Sequence, residues 1–190
     1  MRTTTVTAPG QTVSSSVRYG KGDLTRVSAE NRYETVTDEL GKRVTSHFDR
    51  WGQLAVAIAD SGGTDETVTR FAYDGLGRPV RSTAPMGDVT TYAYDVHGDM
   101  TSRTQPDAGT TRYKYDSRHN VRFSQDAQQA ADGKVSYFTY DRFSRMIRSG
   151  EVTRAFASLD ANATYAFETD ATSWTSRYIY DVDDTGDVGG

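Results

Sequence analysis

The chain has 190 residues, of which 35% are hydrophobic and 25% charged, with a net charge of −4; that length allows one or two ordinary domains. The 22 lysines and arginines form no basic block, which argues against a phosphate-neutralising surface for nucleic acid. Without cysteine there are no disulfides or thiolate metal sites, no apolar run approaches the roughly 18 residues of a membrane span, and the first ten residues lack the apolar stretch of a signal peptide.

Residues 1–16 read as an N-terminal segment, followed by a repeat region over 17–182. Arg18-Tyr19-Gly20-Lys21-Gly22-Asp23-Leu24 resembles a shortened first copy, and His47-Phe48-Asp49-Arg50-Trp51-Gly52 a second, with Phe48 in place of tyrosine. Full copies follow at Phe71-Ala72-Tyr73-Asp74, Tyr92-Ala93-Tyr94-Asp95, Tyr113-Lys114-Tyr115-Asp116, Phe138-Thr139-Tyr140-Asp141 and Tyr178-Ile179-Tyr180-Asp181. Tyr73, Tyr94 and Tyr115 stand 21 residues apart, the sign of a repeat architecture. Longer gaps place insertions near 125–134 and 151–172, and 183–190 form an acidic tail.

Each copy reads as strand, tight turn, strand. The two aromatics are one residue apart, so on a strand they share a face. The aspartate suits the first position of a type I turn, where its carboxylate accepts a backbone N–H two residues on. Glycine at the fourth position (Gly52, Gly77, Gly98) tolerates the left-handed conformation that closes such a turn with a bulge. His119, Ser144 and Asp184 depart from it. An apolar residue two places later (Leu54, Met100, Val121, Met146) starts the return strand. Successive tyrosines are expected to form a ladder of stacked or edge-on rings across the sheet. Helix is expected only as a turn within Gln125–Ala131 and a piece within the alanine-rich Arg154–Asp170.

The motif Tyr73-Asp74-Gly75-Leu76-Gly77-Arg78 and its recurrence in register resemble the YD repeat of the Rhs family, which includes bacterial polymorphic toxins, insecticidal toxin-complex B and C components, wall-associated proteins and teneurins. The resemblance implies a long β-sheet strip that winds into a shell, enclosing a C-terminal toxic domain in the toxin members. The family's autoproteolytic core motif and a toxin domain have no counterpart in this chain, so the resemblance implies a piece of shell or a short free-standing relative rather than a complete toxin.

Three groups of side chains invite a chemical reading. His97 and His119, with Asp95 or Asp116, are conceivable metal ligands, but exposed turn histidines are expected. The aspartates at 49, 74, 95, 116, 141 and 181 resemble catalytic carboxylates, yet a turn cap explains why every copy has one. Asp181, Asp183, Asp184 and Asp187 lack the glutamate that completes a calcium loop. Trp51 and Trp174 are candidate exposed platforms for glycan contact.

The expected fold is therefore all-β, an antiparallel hairpin meander. The expected role is structural and non-catalytic, without cofactor or metal; the alternative is a carbohydrate- or cell-surface-binding module. Expected partners are the rest of a longer Rhs-like chain, a second copy joined through sheet edges, an enclosed toxin domain, or a cell-surface glycan, with no nucleic acid. The expected location is the bacterial cytoplasm before export, then outside or on the cell.

Overall fold

The computed structural model describes residues 2–8, 11–19, 32–38, 40–170 and 172–180. Residues 20–24 of the shortened first copy and the tail from Asp181 onward, including Asp183, Asp184 and Asp187, lie outside them. The chain divides into two units, Met1–Thr91 and Tyr92–Gly190.

In the first unit, β1 (Arg2–Ala8), β2 (Gln11–Tyr19), β3 (Arg32–Thr37), β4 (Arg43–Phe48), β5 (Leu54–Ala59), β6 (Thr67–Tyr73) and β7 (Pro79–Thr83) each pair antiparallel with the next. Strand β8 (Val89–Tyr94) starts here, pairing its Val89, Thr90 and Thr91 with β7. The second unit contains β9 (Met100–Gln105), β10 (Gly109–Tyr115), β11 (Val121–Gln125), helix α1 (Ala127–Asp132), β12 (Lys134–Tyr140), β13 (Met146–Thr153) and β14 (Trp174–Arg177). Its strands from β9 onward also pair antiparallel in chain order. This is the all-β hairpin meander that the repeat implies.

The core of the first unit is a row across the sheet. Thr35, Thr45, Ile58 and Val68 stand opposite one another on four successive strands. The Thr35 and Thr45 hydroxyls bond at 3.0 Å, and Val56 and Ile58 are buried. In the second unit, strand alternation buries Val135, Tyr137 and Thr139 of β12 on one face, beside Phe123 of β11. A segment of the same chain covers them: Leu159, Ala161, Phe156, Tyr165, Phe167 and Trp174 complete the cluster.

The insertion after β11 does form a helical turn. Asp126 accepts from Gln129 N at 2.7 Å, Gln129 Oε1 accepts in return from Asp126 N, and Gly133 ends the helix in the left-handed conformation. Residues 154–170 differ from expectation, forming two short 3₁₀ turns, Phe156–Ser158 and Ala166–Glu168. Their polar residues compete with helical bonding. Asp160 accepts from Asn162 N, while Ser158 and Thr169 hydroxyls donate to Ala155 O and Ala166 O.

Candidate functional site

The repeated pair sits where a strand becomes a turn. Phe48, Tyr73, Tyr94, Tyr115 and Tyr140 are the last residues of β4, β6, β8, β10 and β12, and an aspartate follows each. In the Asp74 turn, Gly77 N donates to Asp74 O at 3.1 Å and Asp74 N to Arg78 O at 2.9 Å. Gly77 has φ 84°. This is a type I turn closed by a bulge at a left-handed residue.

The carboxylate is what makes the turn uniform. Asp74 Oδ1 accepts from Leu76 N and Arg78 N at 2.9 and 3.0 Å. Asp49 does the same for Trp51 and Gln53, Asp95 for His97 and Asp99, Asp116 for Arg118 and Asn120, and Asp141 for Phe143 and Arg145. Asp38, at the other end of its hairpin, caps Leu40 N and Lys42 N. The second oxygen closes on the fifth residue: Arg78 and Arg145 reach it at 2.7 Å, and Asn120 at 3.0 Å.

These bonds favour the ionised form. At Asp74 the Arg78 backbone N–H is the largest cause of a lowered pKa, with desolvation opposing it and the Arg78 side chain adding to it. At Asp141 desolvation is the largest single influence and pushes upward, but the backbone and side-chain bonds from Arg145 and the bond from Phe143 outweigh it. Asp95 and Asp116 are lowered against desolvation in the same way. A carboxylate held ionised by several donors is a structural cap and a poor proton shuttle at neutral pH.

The tyrosines do not stack as the expected ladder. Tyr73 donates its hydroxyl to Leu54 O at 2.9 Å, Tyr115 to Met100 O at 3.0 Å and Tyr140 to Val121 O at 2.9 Å. Each reaches the carbonyl of the residue that opens the return strand of the preceding hairpin. Successive tyrosine-bearing strands are two strand spacings apart, about 9–10 Å, beyond the roughly 4.5–7 Å of aromatic pairs. Each phenol instead bonds to the strand that lies between them. Burial raises the phenol pKa at Tyr73 and Tyr140, with the preceding turn's Asp49 and Asp116 adding to it.

At the positions lacking glycine, the backbone keeps its form. His119 and Ser144 adopt φ 65° and 60°, a strained region for residues with a Cβ.

The bulge has a second consequence. Tyr115 pairs with Val121 and Lys114 with Phe123, leaving Arg122 as the extra residue; the same offset leaves Ala55, Val80 and Ile147 in three other hairpins. Arg122 is buried and clamps the covering segment. It donates to Ala161 O and Ala163 O and pairs with the buried Glu168 at 2.6 Å. Sequence reading passed over this residue, although a cation where other copies carry Ala, Val and Ile is its visible signal. Lys114 helps, donating to Ala157 O and Leu159 O.

Between that segment and the Asp95 and Asp116 turns of the second unit lies an open groove of about 600 Å³, within the roughly 300–1,000 Å³ range of small-ligand sites. Asp95, Asp99, Asp116, Asp160, His97 and His119 line it, beside Tyr113, Tyr115 and Lys114. The structure thus brings His97 and His119 together, with ring centroids 6.1 Å apart. Among the described residues, no group of three or more His, Cys, Asp or Glu side chains is arranged to hold a metal ion.

The two tryptophans part company. Trp51 is 70% exposed, with the Arg50 guanidinium 3.9 Å from its ring centroid. Its exposure belongs to the third turn position, which also exposes Leu40, Leu76, Met86 and Phe143. Trp174 is half-buried against the Phe123–Tyr137 cluster, which corrects its reading as an open platform. Gly150 stands opposite it in register, and a Cβ there would lie 2.7 Å from the Tyr137 ring.

Fold and turn chemistry together define an antiparallel β-hairpin repeat protein. Residues 73–110 match the RHS Repeat family, so the chain carries an Rhs/YD-repeat segment there. Three solved structures share the fold. The one described as the crystal structure of TcdB2-TccC3-Cdc42 has TM-score 0.50 and 18% identity, covering 64% of this chain and 7% of its own. TcdB2-TccC3-TEV gives 0.51 and 16%, covering 75% and 9%. TcdB2-TccC3 without its hypervariable C-terminal region gives 0.51 and 18%, covering 73% and 8%. The chain therefore matches under a tenth of the length of each. No curated protein sequence matches it. No helix among the described residues is long and apolar enough to cross a membrane.

Proposed function

We propose that this chain is a non-catalytic scaffold module, a strip of YD hairpins that forms part of the wall around another polypeptide. One observation carries the reading: the same two-bond aspartate cap recurs at six turns. Many equivalent carboxylates, each spent on the same turn, build a wall, whereas hydrolysis needs one or two in distinct environments. The module works as part of a longer exported bacterial chain or joins a second copy through its free sheet edges, and a toxic domain is the fitting cargo.

Alanine at Asp74, Asp116 and Asp141, singly and together, tests this. The scaffold reading expects the thermal midpoint to fall stepwise with each cap removed, since hairpin stability adds between neighbours. Unchanged melting with loss of an activity would overturn it. Glycan-array binding that disappears in Trp51→Ala would instead establish the carbohydrate-binding alternative.

A further inference from the structure

Two neighbouring turns of the second unit each break the repeat pattern, at different positions, and the two breaks meet. At the fifth turn position, where Arg78 and Arg145 close on their own aspartates, the Asp95 turn carries Asp99. At the fourth position, where Gly52, Gly77 and Gly98 stand, the Asp116 turn carries His119, held at φ 65°. His119 Nδ1 and Asp99 Oδ2 are 2.7 Å apart, linking the two turns. We propose that His119 and Asp99 form a proton-operated clasp between adjacent hairpin turns, closed when the imidazole is charged and loosened when it is neutral.

The surroundings give the clasp its polarity. Asp99 shares its turn with Asp95, whose Oδ1 accepts the Asp99 N–H at 3.0 Å, so two carboxylates crowd one turn. Asp116 starts the turn of His119 itself. His97 meets the His119 ring edge-on. Across the groove stand Asp160 and Lys114, the latter tied to Ala157 O and Leu159 O. A charged His119 is thus a cation among carboxylates. Without its proton, the carboxylates of Asp95, Asp99 and Asp116 around it lose that cation.

The hydrogen bond from Asp99, then its charge, raises the His119 pKa above the ordinary 6.5; desolvation opposes this, and Asp95 and Asp116 add to it. Because the folded-state pKa is the higher one, the clasp's stabilisation is complete below about 6.5 and is lost as pH rises through that higher value.

Imidazole NMR titration of the full chain from about pH 5 to about pH 9 tests the clasp in wild type, Asp99→Asn and His119→Gly. The wild-type His119 midpoint is expected above 6.5, shifting down in Asp99→Asn. Amide exchange at Asp99 and His119, corrected for its intrinsic pH dependence, is expected to accelerate several-fold across the wild-type midpoint. His119→Gly keeps the turn and should abolish that step. An unchanged midpoint in Asp99→Asn, or turn amides indifferent to the wild-type midpoint, would overturn the proposal.

Discussion

Among the described residues of the first unit, the buried apolar ones are Val56 and Ile58, supported by Ala55 and Val68 on the same sheet. The second buries Phe123, Val135 and Tyr137 completely, under residues 156–174 of its own chain. The turn chemistry is the same in both. What the second unit adds, among the described residues, is a segment folded over its sheet, and with it a second source of stability: hairpin bonding repeats and adds, whereas this aromatic core joins residues distant in sequence. The core is a close set of rings, with Tyr165 stacked on Phe167 at 5.1 Å and Tyr137 and Phe123 packed against them.

That contrast can be broken most directly at its centre. Phe123→Ala and Glu168→Ala should each cost about 3–5 kcal/mol, the first by leaving a cavity and the second by stranding the buried Arg122 charge. Ile58→Val should cost only about 0.5–1.5 kcal/mol. Urea unfolding followed by near-ultraviolet dichroism checks all three. Gly150→Ala should cost about 1–3 kcal/mol, because its Cβ would meet Ser173 O at 2.5 Å and the Tyr137 ring at 2.7 Å.

Smaller effects belong to the hairpins. Ser144→Gly should stabilise by about 0.5–1 kcal/mol by relieving the left-handed strain, offset in part by loss of the Asn120–Ser144 bond at 3.2 Å. The smallest effect expected is in acid. Asp74 and Asp141 have pKa values below the ordinary 3.8, so their caps act fully above that value and are lost as pH falls through the lower folded-state pKa. Thermal midpoints of wild type and Asp74→Asn should therefore converge only below pH 3.8. Convergence at higher pH would contradict the assignment.

Much of the hairpin is legible in the chain because turn chemistry is local. Asp74, Gly77 and the strand ending at Tyr73 sit within a few residues of one another, and their bonds follow from residue type alone. The tyrosine's partner is less legible. Leu54 O lies 19 residues before Tyr73, and only the spacing of paired strands shows that the ring must reach across rather than stack. The segment 154–170 misleads further: its alanines favour helix, but Asp160, Asn162 and Thr169 divert the backbone, and sheet contacts decide the rest. Trp174 reads as exposed because nothing near it in sequence covers it, whereas the Phe123 cluster does.

By itself the sequence determined the repeated unit: where each strand stops, which carboxylate caps the turn and which residue takes the left-handed conformation, since these are contests among neighbouring groups. Only the tertiary structure decided which sheet face is buried, why Arg122 replaces an apolar residue at the bulge, and that Asp99 meets His119. Each of those depends on groups about 20 to 46 residues apart, brought together by strand pairing and by a segment folding back on the sheet.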